Sequence, residues 1–299
     1  MTCCIAAICE MDRTIVTASD QMIDFGQFSV DGITAKHEPI YPNWSMQISA
    51  SDVAALWPMF NYLRLILCAD VDNEKKQGKL GKSLNRIRDA VIQAYATLRS
   101  KAAEAQILSA YNLTMETFLK EGKGHFGDSV FREICKRINR VNFGEFDLLL
   151  SGFDIAGEAH LQTFSHDAIT RDWDVTGFAA IGSGSSSALD ILSFHSYNRM
   201  RSLKECVYRV CEAKFMAHRA SGVGEETFVF ISGPKEEDRK YIQRSDVRRL
   251  RRVWEEVGCP RTPPSIIDEI PRMVMTAEEI ARIAKQVTQS VSRKSEQEP

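Results

Sequence analysis

The sequence predicts an α+β fold in which antiparallel sheets are layered with helices. Three observations lead there. Short β-branched runs and 3.6-period runs arrive in blocks: strands, helices, strands, helices, strand. The strand blocks are joined by short polar turns of hairpin length, which antiparallel pairs require and βαβ crossovers do not. The 299 residues are 44% hydrophobic and 26% charged, ordinary for a globular chain with a sizeable core.

Residues 2–9 form a first strand and Thr14–Ser19 a second, with Glu10–Arg13 as the turn and Asp20 as the closing residue. After an excursion marked by Gly26 and Gly32, residues 34–41 form a short third strand and Ser45–Ser51 a fourth. The period then changes. Val53, Leu56, Trp57, Phe60, Leu63 and Leu67 fall on one helical face, with Ser51 and Asp52 as N-cap candidates. Pro58 inside that pattern kinks the helix or delays its true start. The polar run Asp72–Lys79 is a connection. Leu84–Ile107 is a long helix, followed by helices at Thr114–Lys120 and Asp128–Asn139, separated by Gly122, Gly124 and Gly127.

Phe146–Gly152 and His160–Phe164 are strands joined by a turn at Phe153–Glu158. Thr176–Ile181 is another strand, and Gly182-Ser183-Gly184 turns it into a helix starting near residues 185–188. A further helix spans about 203–220, and Thr227–Ile231 is the last strand. Asp246–Val257 is a charged helix with Ser245 as its cap, residues 258–264 are a linker, and Thr276–Val287 is a final helix. Residues 289–299 form a polar, disordered tail.

The net charge of −2 implies no general attraction to nucleic acid or an anionic membrane. The helix carrying Arg248, Arg249, Arg251 and Arg252 runs on into Glu255 and Glu256 without aromatic interleaving, so a solvated or partner-facing helix is expected there. No apolar run approaches a membrane span. The apolar start lacks a basic leader and reaches Glu10 and Asp12 at once. None of the eight Cys forms a CxxC pair, so reduced, mostly buried thiols in a cytoplasmic protein are expected. His37, His125, His160, His166 and His195 show no ligand spacing. Neither a metal site nor a cofactor is expected.

Four features carry potential chemistry. Removal of Met1 would give Thr2 a free α-amine beside its own hydroxyl, a known way of activating a weak nucleophile. Asp20 and Lys36 form a second feature. A lysine held near a terminal amine disfavours that amine's charged form, and the amine titrates close to neutrality already. The alternative for this pair is an ordinary surface ion pair. Third, Gly182-Ser183-Gly184 between apolar flanks reads as a tight strand-to-helix turn. A phosphate cradle is the weaker alternative, since no Walker or dinucleotide pattern is present. Fourth, His218 and Ser221 near a helix end are either supporting site residues or simple capping groups.

Taken in order, these segments resemble the proteasome β-subunit family and its bacterial HslV- and Anbu-type relatives, the N-terminal-nucleophile (Ntn) hydrolases. Thr2-Cys3-Cys4-Ile5-Ala6 is similar to the family start, and Ile15–Asp20 to its second strand ending in Asp. Lys36 with Ile40-Tyr41 is similar to the family's lysine segment. Leu149–Asp154 resembles its Gly-aromatic-Asp hairpin, and Ala180–Gly184 followed by Ala188 its strand-turn-helix signature.

The resemblance covers residues 2–232, with a helical insertion at about 110–140. A helical C-terminal extension at 235–288 lies beyond it. It implies a four-layer αββα sandwich and a self-compartmentalising threonine-type endopeptidase. The alternatives are an Ntn amidohydrolase of small amides or a catalytically inactive assembly subunit. The implied site is Thr2 as nucleophile, Asp20, Lys36 and Ser183 as its partners, and backbone N–H groups at Ala50 and Ser51 as the oxyanion hole. His218 and Ser221 would support it, His218 standing where the family has Asp. The first hairpin is about two residues longer than usual, so an ungapped count back from Asp20 lands on Cys4, the alternative nucleophile. Implied partners are peptide or unfolded-protein substrates, copies of the chain in a ring or stack, and an ATP-dependent unfoldase.

Overall fold

The structure of the protein is a computed structural model that describes residues 2–24, 29–31, 36–51, 53–69, 71, 76, 81–166 and 169–259. The expectations placed on Met1, Gly26, Gly32, residues 34–35, Asp52, most of 72–79, the linker beyond Cys259, the Thr276–Val287 helix and the 289–299 tail lie outside these residues. The chain divides into two units, Met1–Arg252 and Val253–Pro299. In the second unit, the described residues form a π turn, Trp254–Gly258, closed by the Cys259 N–H donating to the Trp254 carbonyl at 2.6 Å.

The first unit is α+β, and all its strand pairs are antiparallel. Its strands are β1 (Cys4–Cys9), β2 (Thr14–Asp20), β3 (Ile23–Asp24), β4 (Ser29–Val30), β5 (His37–Tyr41) and β6 (Trp44–Ala50). They continue as β7 (Phe146–Phe153), β8 (Ala159–Ser165), β9 (Thr170–Asp172), β10 (Phe178–Ile181), β11 (Thr227–Ser232) and β12 (Lys240–Ile242). One five-stranded sheet runs β10-β1-β2-β11-β12 and the other β5-β6-β7-β8-β9, with β3-β4 as a separate ribbon.

The helices are α1 (Val53–Leu56), α2 (Pro58–Cys68), α3 (Leu84–Ala103), α4 (Met115–Asn139), α5 (Ser185–Phe194), α6 (Leu203–Ala217) and α7 (Arg244–Val253). Among the described residues no helix is long and apolar enough to cross a membrane.

The side-chain period of two sorts each central strand between two cores. Cys4, Ala6 and Ile8 of β1 meet Leu149 and Phe153 of β7, Leu161 of β8 and Ile181 of β10, so the two sheets face each other. Leu148 and Leu150, the alternate residues of β7, point the other way, into a cluster with Phe60, Leu63, Ile87 and Val91 of α2 and α3. On the far side, α6 packs on β1 and β2, and α5 on β10. Burial on both faces explains why β1 is apolar throughout rather than alternating; all six of its residues are buried.

Local chemistry sets most boundaries. Pro58 is the first residue of α2, where its missing N–H costs nothing, and Trp57 separates α2 from α1. Ser83, Thr114 and Ser202 cap α3, α4 and α6 with side-chain bonds to the backbone N–H three residues on. α4 and the turn before it share a small core of Ile107, Leu108, Phe118 and Ile134. Gly127, at φ +70°, breaks α4 between the two helices read from sequence.

Two expectations need correcting. α3 ends at Ala103 and passes into a π turn, Glu104–Leu108. The charged helix starts at Arg244, so Ser245 lies inside it rather than capping it. The edge strands β9 and β12 went unread, because their residues are exposed or half-exposed and show no apolar alternation. β12 adds to β11, and the first unit extends to Arg252.

Candidate active site

The β1–β2 register places the site. Cys4 pairs with Ser19, so the next residue of β2, Asp20, faces Cys3, and Thr2 stands just outside the pair. The irregularity of this hairpin is confined to its far end. There Glu10, Met11 and Asp12 all adopt positive φ (53°, 54° and 70°). The α5–α6 connection holds that turn: Glu10 and Met11 donate to the Arg201 and Arg199 carbonyls at 2.9 Å each, and Asp12 pairs with Arg199. The Thr2–Asp20 end therefore stays in register.

Asp20 is fully buried and accepts three hydrogen bonds: from the Cys3 N–H at 2.8 Å, the Met22 N–H at 3.2 Å and Lys36 Nζ at 3.0 Å. Lys36 belongs to the other sheet by its backbone, its carbonyl accepting from the Ile48 N–H at 3.0 Å. Its side chain crosses between the sheets and is 2% exposed. Besides Asp20, Nζ donates to Thr2 Oγ1 at 2.5 Å. A buried carboxylate thus holds a buried ammonium against a hydroxyl, a geometry that favours negative charge developing on that oxygen.

The strand-to-helix turn supplies the third wall. β10 pairs with β1 so that Ile181 is opposite Cys4, which brings residues 182–184 beside Thr2. Ser183 Oγ accepts from the Thr2 N–H at 3.3 Å, and the Gly184 N–H donates to the Thr2 carbonyl at 3.2 Å. Gly182 sits at φ +91°, and a Cβ there would lie 2.2 Å from the Thr2 carbonyl oxygen. No phosphate-binding geometry is needed to explain these glycines; they let the chain close on Thr2.

Gly182→Ala is accordingly expected to cost about 2–4 kcal/mol, combining left-handed strain with a backbone clash. At this size that is a fall in Tm of roughly 4–16 °C. Gly157 is the control: its φ is +83° but a Cβ would meet nothing within 4 Å, so Gly157→Ala should cost only about 1–2 kcal/mol. Equal thermal shifts for the two variants, measured by calorimetry, would remove the clash argument.

A cavity of about 360 Å³ opens beside Ser183 and Gly182, lined also by Ser49, Ala50, Ser51, Glu145, Asp147 and His166. Of the two backbone donors expected at the oxyanion position, the Ser51 N–H is engaged with the Glu145 carbonyl at 3.2 Å. The other expected donor, the Ala50 N–H, is on the β5 side of β6, opposite residue 34, which lies outside the described residues.

The remaining expected residues lie apart. The Cys4 thiol is in the core between the sheets, 3.7 Å from the Ile48 carbonyl, and burial holds its pKa well above the usual thiol value. Burial likewise pushes Cys3 up to about 12, against the opposing charge of Lys214. Neither thiol is ionised near neutrality. His218 ends α6, with Nδ1 2.9 Å from the Val223 carbonyl, and Ser221 is exposed beyond it. Neither appears in the hydrogen bonds around Thr2.

One charged group escaped the sequence reading. Lys214 on α6 is fully buried, and its Nζ donates to the Gly224 carbonyl at 2.8 Å. Burial lowers its pKa, while the charge of Asp20 is among the influences that oppose that shift. The available signal was a lysine on the same face as Val210, four residues before it in the buried stripe of α6.

No family model matches this sequence, and no curated protein matches it.

Proposed function

We propose that the chain is an N-terminal-nucleophile peptidase of the proteasome β-subunit type, acting through Thr2 after removal of Met1. One observation carries the reading: Lys36 Nζ lies between Thr2 Oγ1 and Asp20, at 2.5 and 3.0 Å, with all three residues buried. A buried ion pair aimed at a threonine hydroxyl has little structural rationale, since an apolar replacement would serve stability as well. The facing sheets with helices on both outer sides support the αββα sandwich that accompanies this chemistry.

In this mechanism Thr2 Oγ1 attacks a peptide carbonyl, and the freed α-amine takes its proton directly or through water, then gives it to the departing amine as the peptide C–N bond breaks and leaves the acyl ester on Thr2. The Lys36 ammonium stabilises the developing alkoxide, and Asp20 fixes the lysine. Ser183 holds the amine, the Ala50 N–H faces the oxyanion, and water releases the acyl-enzyme. Cys4 is the poorer nucleophile. Its amine would require loss of Met1, Thr2 and Cys3, and its sulfur would have to leave the core between the sheets. In this reading copies of the chain assemble in the cytoplasm into a ring or stack that sequesters the site. Unfolded proteins are the substrates, supplied by an ATP-dependent unfoldase.

Intact mass and N-terminal sequencing after treatment with a β-lactone or epoxyketone test the core of this. The expected result is a chain that begins at Thr2 and carries the label there, with Thr2→Ala losing both label and peptide hydrolysis. Retention of Met1 in active protein would overturn the reading. So would full activity in Thr2→Ala together with loss in Cys4→Ala. Turnover of small amides but not peptides would move the protein to the amidohydrolase class.

A further inference from the structure

A second cluster lies at the turn between β7 and β8, far from Thr2. Phe146, at one end of β7, lines the cavity beside Ser183, and Asp154 follows the other end. That eight-residue strand spans roughly 25 Å. We propose that Asp154, Glu158 and His160 bind one divalent transition-metal cation, zinc by their donor set, with Asp174 holding His160 in the ligating orientation.

Each atom around His160 points to this. His160 Nδ1 lies 2.6 Å from Asp174 Oδ2, and Asp174 Oδ1 accepts from the Leu161 N–H at 2.7 Å. With Nδ1 held against that carboxylate, Nε2 is the ring nitrogen left to meet a metal. The ring lies parallel to the Trp44 indole, 6.1 Å between centroids and 5° between planes. His160 is 9% exposed, and its Nε2 is buried without a hydrogen-bond partner.

What Nε2 faces is another acceptor. Asp154 Oδ1 is engaged by the Ala156 and Glu158 N–H groups at 2.8 and 3.0 Å, and Asp154 Oδ2 lies 3.7 Å from Nε2. Glu158 brings a second carboxylate, and the three ligand atoms lie within 4.8 Å of one another. Nε2 and the two carboxylates thus converge on one point at the hairpin turn, where a bound cation would join them.

The spacing suits a metal better than a shared proton. At 3.7 Å the pair is beyond hydrogen-bond length. Two ligands about 2.0–2.2 Å from a tetrahedral zinc stand roughly 3.4 Å apart, so a few tenths of an ångström bring the His160–Asp154 pair to that spacing. Imidazole nitrogen with two carboxylates favours zinc over calcium or magnesium, which prefer all-oxygen shells. A carboxylate on the far nitrogen of a ligating histidine is the usual supporting arrangement. The sequence hid this set because Asp154, Glu158 and His160 meet only when the hairpin closes, at spacings that match no helical ligand pattern.

Calorimetric titration of the full chain, stripped with chelator and kept reduced, tests the proposal with zinc, manganese and calcium in separate runs. One zinc per chain is expected, with micromolar or tighter affinity and a Tm that rises with zinc. His160→Gln should abolish that binding, Glu158→Gln should weaken it at least tenfold, and Asp174→Asn should weaken it 10–100-fold. Glu158 is exposed, so its variant keeps the test valid if His160→Gln fails to fold. Zinc binding unchanged in both His160→Gln and Glu158→Gln would assign the metal to the thiols and overturn the proposal. No zinc bound at millimolar concentration, or calcium bound more tightly than zinc, would overturn it as well.

Discussion

Lys36→Met is expected to reduce peptide hydrolysis at least ~10³-fold while destabilising the protein by about 3–5 kcal/mol. The two effects have different origins, and that makes the variant informative. The stability loss arises at Asp20, which would remain buried with its two backbone donors but without its cation. The activity loss arises at Thr2, whose Oγ1 loses the ammonium 2.5 Å away. Adding Asp20→Asn to Lys36→Met removes the stranded charge, so the double variant should recover most of the stability and none of the activity. Lys36→Arg should keep the ion pair but not the turnover, because a planar fork cannot set a single donor 2.5 Å from Thr2 Oγ1. Denaturant titration and kcat/KM on a fluorogenic peptide read the two quantities separately. Activity within tenfold of the parent in Lys36→Met would sink the proposed mechanism.

The behaviour of this lysine also shows what the sequence could and could not reveal. Asp20 and Lys36 were legible because each terminates or begins a short apolar segment, where a charge is conspicuous. Their partnership across two sheets depended on the β1–β2 and β5–β6 registers, which hairpin length alone left ambiguous. The structure resolves that ambiguity at residues 10–12, whose left-handed conformations no residue type there announces, there being no glycine or asparagine in the turn. Pro58 and Gly127 acted locally and were therefore readable; both mark helix boundaries where expected. Lys214 was not, since an amphipathic pattern identifies the buried face of α6 but not a charged residue that the fold buries at its edge. The engagement of the Ser51 amide was hidden for a similar reason: its partner, the Glu145 carbonyl, lies across the β6–β7 pair, at a distance in sequence that no motif spans.

Acid should weaken the fold through His37, the residue after Lys36. His37 is 4% exposed and packs on the Phe228 and Phe230 rings, 5.7 and 4.5 Å away between centroids. Its Nε2 has no hydrogen-bond partner. Burial, reinforced by the charge of Arg239, lowers its pKa from 6.5 to about 3. The folded state therefore holds a neutral ring, while the unfolded chain takes up a proton below about pH 6.5. Stability from this group is complete above that pH and falls by ~1.4 kcal/mol for each unit down towards pH 3. Carboxylates contribute to any acid unfolding, so the isolating measurement is a comparison with His37→Phe, which keeps an aromatic ring and cannot titrate. Denaturant midpoints at several pH values should show the parent losing about 3 kcal/mol more than the variant between pH 6.5 and pH 4. Because His37 opens β5 and pairs with Gln47, the strain of charging it falls on the backbone that carries Lys36. Activity and stability should decline together in the parent across this window and separate in His37→Phe, where the lysine's strand no longer senses acid. Parallel pH profiles for the two proteins would show that His37 is not the titrating group.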